Sequence, residues 1–207
     1  SKGIYSIENY LTSRRLMYWQ VYLHKTAVAY EKVLINALKR AKYLVQQGKQ
    51  LFCPPALKYF LHNAIDRYWF QNHAEALTMY EQLDDTDIWC TLKVWQNSED
   101  KILSLLAKDM INRNVFKVEV REKPVTEEEI YALKDNIAKH FSITFDDATY
   151  LMSVNTIQKD MYDINDDKIA ILYKDGTLKD ISEASEILNV ELLSKKISKY
   201  YLCYQRF

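Results

Sequence analysis

The chain has 207 residues, 48% hydrophobic and 27% charged, a balance typical of a globular protein of one or two domains. Its 28 Lys and Arg residues equal its 28 Asp and Glu residues, which argues against a protein that depends on nucleic acid or an anionic membrane for binding. No apolar run approaches the roughly 20 residues of a membrane span. The three cysteines lie far apart, which favours reduced thiols and a cytoplasmic location. Neither a P-loop nor a GxGxxG motif occurs, so those nucleotide-binding folds are excluded.

Helical signals dominate the first half of the chain. Apolar residues recur at helical spacing from about residue 4 to residue 47, which predicts one long helix, bent near His24 and stopped at Gly48. The Cys53-Pro54-Pro55 turn then starts a second helix. Helices are predicted in this half at about residues 56–63, 73–83, 86–96 and 99–112.

Strand signals begin near Asn114. Thr126 and Glu129 form a capping box for one more helix, and Lys174-Asp175-Gly176 has the composition of a hairpin turn. Alternating or β-branched runs predict strands at about residues 115–120, 150–157, 169–173 and 197–205. The sequence therefore predicts an α+β fold. A long N-terminal helix and a helical bundle occupy residues 1–113, and a small mixed region with antiparallel strands occupies residues 114–207.

One stripe of the first predicted helix carries groups suited to a phosphorylated ligand. Arg14, Tyr18 and Tyr22 are four residues apart, and Lys25 follows three residues later, so we expect their side chains on or near one helix face. A guanidinium can hold phosphate oxygens in a bidentate manner, and a phenol can stack or hydrogen-bond. The alternative is an amphipathic helix whose long polar side chains reach solvent.

The residues of this stripe resemble a known family. The run R-x-x-M-Y-x-x-V-Y-x-H-K, from Arg14 to Lys25, is similar to the segment after the HD core in dNTP triphosphohydrolase-like HD phosphohydrolases. These include bacterial dGTPases and the vertebrate dNTPase. A second run, from Asn112 to Lys117, resembles the R-N-L-F-K segment of the same family, where helices give way to strands. The resemblance extends over essentially the whole chain, and these two motifs carry it.

The resemblance implies that the chain is the C-terminal part of such an enzyme. Family members hydrolyse nucleotides with a metal held by an H…HD…D ligand set, mostly on helices that precede this region. None of the four histidines here is followed by Asp, and they show no ligand spacing, so no metal ligand or catalytic residue is assigned. We therefore expect the chain alone to be inactive and without a cofactor, and the intact protein to need a divalent metal.

The resemblance also implies roles for individual residues. In the family, the residues that match Arg14 and Tyr22 face the phosphates and sugar of the nucleotide, and Tyr18 stands where some relatives have His. Oligomeric members also have a second, regulatory nucleotide site. The positions that match it here are Lys25, Arg113 and Lys117. The implied partners are a dNTP-like nucleotide and further copies of the chain, without membrane or nucleic acid.

Three further features have a structural interpretation beside a functional one. His24 is either a general acid or, as the favoured interpretation, a buried and hydrogen-bonded structural histidine. Residues 163–167 (Asp-Ile-Asn-Asp-Asp) resemble the start of a calcium loop, but Lys168 replaces the glycine of its sixth position, which favours a solvated turn. Three tryptophans form either a binding surface or core and subunit contacts, namely Trp69, Trp89 and Trp95.

Three classes of function stay open on the sequence alone. The first is the C-terminal part of an HD-type nucleotide phosphohydrolase, which completes the nucleotide pocket and the oligomer interface. The second is a non-catalytic module that binds a protein partner or a regulatory nucleotide. The third is a nucleic-acid-binding domain, which the neutral charge disfavours.

Overall fold

The structure is a computed structural model that describes residues 2–159, 169–185 and 197–207. Its elements confirm the predicted α+β class, with helices through the first half and strands after it. The helices are α1 (Lys2–Met17), α2 (Lys25–Gln46), α3 (Pro55–His62), α4 (Arg67–Asn72), α5 (Ala74–Gln82), α6 (Asp85–Trp95), α7 (Lys101–Asn112), α8 (Glu127–Phe141) and α9 (Ile181–Ala184). The strands are β1 (Lys117–Arg121), β2 (Met152–Lys159), β3 (Ala170–Leu172), β4 (Leu178–Asp180) and β5 (Ile197–Tyr204). The calcium-like residues 163–167 lie outside the described residues.

The chain divides into two compact units. The first unit comprises Ser1–Val28, Glu119–Pro124 and Val154–Tyr201. The second unit comprises Ala29–Val118, Val125–Ser153 and Leu202–Phe207. The domain boundary placed after residue 113 stays a prediction.

The first predicted helix is interrupted. Helix α1 ends at Met17, and Tyr18–Tyr22 continues it as a π-helical turn, in which the Leu23 N–H donates to the Tyr18 carbonyl at 2.8 Å. Leu23 leaves the helical conformation, with φ −99° and ψ 11°, and α2 begins at Lys25. The bend predicted near His24 is therefore a break between two helices.

The strands form two small sheets. One has three strands in the order β1-β5-β2, and the other pairs β3 with β4 in antiparallel register, with Ile171 opposite Lys179. The hairpin between β3 and β4 confirms the predicted turn, since Gly176 has a φ of +85°, which a glycine adopts without steric cost.

An apolar cluster forms the core of the first unit. Ile4 and Leu11, on one face of α1, are buried together with Ile181 of α9. Partly buried side chains from β3 and its flanks pack against them, including Ile171 and Tyr173. Burial of each large side chain contributes roughly 1.5–3 kcal/mol, so this cluster holds α1 against the β3–β4 hairpin.

Helix α7 supplies much of the core of the second unit. Its predicted apolar stripe is buried, with Leu103 and Leu106 fully inaccessible. The Asp100 side chain caps its start by accepting from the Leu103 N–H at 2.8 Å. The predicted capping box of α8 is also present, because the Glu129 N–H donates to the Thr126 hydroxyl and the Thr126 N–H donates to the Glu129 carboxylate.

Candidate functional site

The three residues predicted to bind substrate lie side by side in the first unit. The Arg14 guanidinium carbon is 5.8 Å from the centroid of the Tyr18 ring, and the Tyr18 and Tyr22 ring centroids are 5.3 Å apart with an interplanar angle of 42°. Arg14 is exposed, Tyr18 is half-buried, and Tyr22 is 57% exposed. We call these three residues the Arg-Tyr ladder. It offers one cation and two aromatic faces to a ligand from solvent.

Both tyrosines of the ladder lie in the π-helical turn, Tyr18 at its start and Tyr22 at its end. One residue more than an α-helical turn is accommodated between the Tyr18 carbonyl and the Leu23 N–H. The turn closes with a bond from the His24 N–H to the Val21 carbonyl at 3.3 Å. Single π-helical turns inside helices are frequent at functional sites. The ladder therefore lies at an irregularity of the kind that often marks a ligand site.

His24 has a structural role in this break. Its Nδ1 atom accepts from the Thr26 N–H at 3.3 Å, as the side chain of an N-cap residue does at the start of a helix, and its carbonyl accepts from the Val28 N–H. The prediction that His24 is buried is wrong, because the residue is exposed at the break between the two helices. Its hydrogen bond nevertheless supports the structural interpretation over that of a general acid.

Strand β5 contacts the neighbouring face of the π-helical turn. The Tyr201 hydroxyl donates to the Leu23 carbonyl at 3.0 Å, and the Lys199 ammonium lies 4.4 Å from the centroid of the Trp19 ring. Tyr201 is 1% exposed. These two contacts lie at the two ends of the turn, and neither was predicted from the sequence.

The stretch of sequence that contains the ladder carries positive charge. No Asp or Glu lies between Glu8 and Glu31, whereas this stretch contains Arg14, Arg15 and Lys25. The chain as a whole carries no net charge. The local excess of cations makes this segment suited to an anionic ligand.

The residues assigned to a regulatory site belong to both units. Lys25 is exposed at the start of α2 in the first unit. Arg113, in the second unit, ends α7 in the left-handed conformation, with φ 59°, and lines an open groove of about 810 Å³ together with Trp89 and Met110. Lys117, also in the second unit, has its ammonium 5.4 Å from the Tyr204 ring centroid. The regulatory site stays a prediction.

The three tryptophans differ in environment. Trp95 is buried and donates from Nε1 to the Phe52 carbonyl at 2.9 Å. Trp69 is half-buried and stacks on His73, with ring centroids 4.0 Å apart. Trp89 is exposed in the groove beside Arg113. Of the three, Trp89 therefore presents the most surface to a ligand or partner.

A buried arginine organises the polar interior of the second unit. The Arg40 guanidinium, 7% exposed, donates to both carboxylate oxygens of Asp100, at 3.1 and 2.6 Å, and to Asp147 at 2.6 Å. It also lies over the Tyr43 and Tyr150 rings, 5.2 and 5.1 Å from their centroids. Burial alone would lower the pKa of this guanidinium, but the two carboxylates raise it. Arg40 therefore stays charged and links α2 to the start of α7 and to the 3₁₀ turn at Asp147–Leu151.

A buried carboxyl group lies at the end of α7. Asp109 is 3% exposed, and its Oδ1 atom accepts from the Asn114 side chain at 3.0 Å. Its Oδ2 atom and the Oε1 atom of Gln205 have no hydrogen-bond partner among the described residues. Burial raises the pKa of Asp109 to about 6, although Asn114 and Gln205 oppose the rise. Desolvation therefore dominates at this carboxyl group.

The residues that the structure describes contain neither a metal-ligand cluster nor a membrane-spanning helix. No group of three or more His, Cys, Asp or Glu side chains in this part of the chain is arranged to hold a metal ion. No helix of the same part is long and apolar enough to cross a membrane. The divalent metal that the resemblance implies for the intact protein stays a prediction.

These observations define an α+β chain with an exposed arginine and two tyrosines at a helix irregularity. No protein-family profile matches the chain. It superimposes on a crystal structure of a phosphohydrolase from Bacteroides thetaiotaomicron with a TM-score of 0.91 and 57% sequence identity, over 99% of this chain and 51% of that one. It is also 31% identical over 200 residues to the uncharacterized protein YwfO of Bacillus subtilis strain 168, over 94% of this chain and 43% of YwfO. The chain thus spans about half the length of the relatives that it matches.

Proposed function

We propose that the chain is the C-terminal part of a phosphohydrolase that acts on dNTP-like nucleotides, and that the Arg-Tyr ladder binds the substrate. In this proposal Arg14 neutralises phosphate charge, and Tyr18 and Tyr22 contact the phosphates and sugar. The intact enzyme is of the metal-dependent HD type. This chain completes its nucleotide pocket and its oligomer interface, and it is inactive alone.

The observation that carries the proposal is the ladder itself. A guanidinium can donate to phosphate oxygens in a bidentate manner. The Arg14 guanidinium carbon lies 5.8 Å from the centroid of the Tyr18 ring, and the Tyr22 ring extends this surface with its centroid 5.3 Å from that of Tyr18. The surrounding stretch from Glu8 to Glu31 adds cations without any carboxylate between these two residues. A relative of 57% identity that is named phosphohydrolase supports the same class of reaction.

The chain contributes binding and orientation in this proposal, not the bond-breaking step. When bound, a divalent metal would supply the activation of water for attack on the phosphate. In this proposal the ligands of the metal belong to another part of the intact protein. Arg14 acts here by reducing the charge repulsion between the substrate phosphates and an approaching nucleophile.

Two further roles belong to the same proposal. Lys25, Arg113 and Lys117 contribute to a regulatory nucleotide site, and the intact protein is a homo-oligomer. Trp89, exposed in the groove beside Arg113, offers an aromatic surface on which a base or a partner side chain can pack.

The test is substitution of Arg14 in the intact protein. Phosphate release from a panel of the four dNTPs is measured below saturation, which yields kcat/KM. A hydrogen bond to a charged group contributes about 1.5–3 kcal/mol, so we expect Arg14→Ala to lower kcat/KM by roughly 10- to 100-fold. Arg14→Lys retains the charge without the bidentate geometry and should recover part of the loss.

Arg15→Ala is the matched control, since it removes the same charge from the next residue of the helix. Its kcat/KM should fall much less than that of Arg14→Ala, because Arg15 adds only to the general positive charge of the segment. Equal values for the wild type and Arg14→Ala would remove Arg14 from the substrate pocket and contradict the proposal.

The second candidate function is a non-catalytic interaction module, and an exposed aromatic surface favours it. Helices α4 and α5 leave four large apolar side chains exposed, namely Tyr68, Phe70, Leu77 and Tyr80. Exposed apolar groups of this kind can mark a protein interface. An intact protein that releases no phosphate from any dNTP in the presence of Mg²⁺ or Mn²⁺ would favour this module over the hydrolase.

A further inference from the structure

The Arg-Tyr ladder is built on a segment whose backbone departs from the regular α-helix. Helix α1 ends at Met17, the π-helical turn follows with a bond from the Leu23 N–H to the Tyr18 carbonyl, and Leu23 is non-helical. The directions of the two tyrosine side chains depend on the backbone conformation of this turn. Contacts that hold the π-helical turn therefore also determine where the two tyrosine rings point.

Two residues of strand β5 make such contacts. Lys199 and Tyr201 are two residues apart on the strand, so their side chains project from the same face of the sheet. Lys199 lies over the ring of Trp19, and the Tyr201 hydroxyl donates to the Leu23 carbonyl. Trp19 and Leu23 are themselves four residues apart. One face of β5 thus holds both ends of the π-helical turn.

The held face differs from the face that carries the ladder. Trp19 follows a ladder tyrosine by one position, so its side chain lies on the adjacent side of the helix. The second contact is made with the backbone carbonyl of Leu23 and leaves the ladder side chains untouched. Tyr201 is almost fully buried, whereas Tyr22 is largely exposed. The strand therefore contacts the buried side of the turn, while Tyr22 stays exposed to solvent.

We infer that Tyr201 and Lys199 are positioning residues for the nucleotide-binding ladder. Their contacts with Leu23 and Trp19 fix the π-helical turn so that Tyr18 and Tyr22 keep their mutual ring contact and their orientation toward the ligand. This inference rests on the proposed function. It means that strand β5, which is far from the ladder in sequence, also affects the affinity for the substrate. Neither residue needs to touch the nucleotide.

The test uses substitutions that remove a single group. In the intact protein, Tyr201→Phe removes the hydroxyl and leaves the ring in place. The matched control is Tyr200→Phe, the next residue, which projects from the opposite face of the strand. Binding of dGTP is measured by isothermal titration calorimetry in EDTA-containing buffer, so that no turnover occurs. A hydrogen bond contributes about 1 kcal/mol, so we expect Tyr201→Phe to weaken dGTP binding about fivefold and Tyr200→Phe to leave it unchanged.

A double-mutant cycle separates positioning from a general loss of stability. If Tyr201 acts through the ladder, Tyr201→Phe should have little effect on dGTP affinity when Tyr22→Ala is already present. A purely structural role would instead lower the unfolding temperature and leave dGTP affinity unchanged, or change it equally in both backgrounds. Either result would overturn the inference.

Amide hydrogen exchange provides a second readout that does not involve a nucleotide. Without dGTP, Tyr201→Phe should speed exchange at residues 18–24 and Tyr200→Phe should not. Equal exchange in the two variants would contradict the inference as well. Lys199→Met should weaken dGTP binding about two- to fivefold, as expected for a cation–π contact of about 0.5–1 kcal/mol, and Lys199→Arg should restore it.

The same measurements separate this inference from the proposed function. If Tyr22→Ala leaves dGTP affinity unchanged, the ladder is not the nucleotide site, and both proposals fail. If Tyr22→Ala weakens binding while Tyr201→Phe does not, the ladder retains its role and only the positioning role fails.

Discussion

The Asp109 carboxyl group gives the sharpest prediction about stability. It lies near the end of α7, is buried, accepts a hydrogen bond from Asn114, and has Gln205 as a second polar neighbour. No cation is among the groups that shift its pKa. Substitution of Asp109 by Asn preserves the shape and the Oδ1 acceptor but cannot ionise. The variant therefore removes the cost of burying a negative charge, and little else.

The size of the effect follows from the pKa. Burial raises the pKa of Asp109 from 3.8 to about 6, and each pKa unit corresponds to about 1.4 kcal/mol, so the penalty for the ionised form is about 3 kcal/mol. Because the folded state holds this proton more tightly, the contribution of Asp109 to stability is greatest below about pH 4 and is lost as the pH rises through about 6. Asp109→Asn should show no such loss.

The assay is urea denaturation of the wild type and of Asp109→Asn at several pH values between 4 and 8. The free energy of unfolding of the variant should exceed that of the wild type by an amount that grows with pH and levels off near 3 kcal/mol above about pH 7. Asp146→Asn is the control, since Asp146 is exposed and its side chain caps no helix. A difference between variant and wild type that does not change with pH would refute the reasoning, because Asp109 would then ionise like an ordinary carboxyl.

Two further predictions concern buried and capping contacts. Arg40→Met should lower the free energy of unfolding by about 3–5 kcal/mol, because it leaves Asp100 and Asp147 without their cation. The shift in the urea midpoint measures this loss. A loss below about 1 kcal/mol would mean that water solvates the two carboxylates well without Arg40. Thr126→Ala should lower the free energy of unfolding by about 1 kcal/mol, because it removes the hydroxyl that accepts from the Glu129 N–H at the start of α8. Thr126→Ser keeps the hydroxyl and should keep the stability. Equal urea midpoints for the wild type and both variants would mean that this cap does not stabilise α8.

Local sequence signals predicted the elements that depend on neighbours in the chain. The apolar stripe of α7, the capping box at Thr126 and the turn at Gly176 each involve residues a few positions apart, and the structure has all three. The four-residue spacing of the ladder belongs to the same class, because one helix brings the side chains together whatever the rest of the fold does.

Contacts between distant residues were not predicted, and the reason is physical. Arg40 meets Asp100 and Asp147 across 60 and 107 positions, and Tyr201 meets Leu23 across 178. No periodicity links such residues, since the fold alone brings them together. The π-helical turn was missed for another reason: its side chains have the same character as those of an α-helix, and only the hydrogen-bond register differs.

The π-helical turn behaves like a single inserted residue, and this has a consequence for helical phase. An α-helix rotates by about 100° for each residue, so an uninterrupted α-helix would place Tyr22, eight positions after Arg14, about 80° away from it. The wider π-helical turn removes most of this difference. A homologue shorter by one position here could close a regular α-helical turn. Its arginine and its last tyrosine, then seven positions apart, would still point in nearly the same direction.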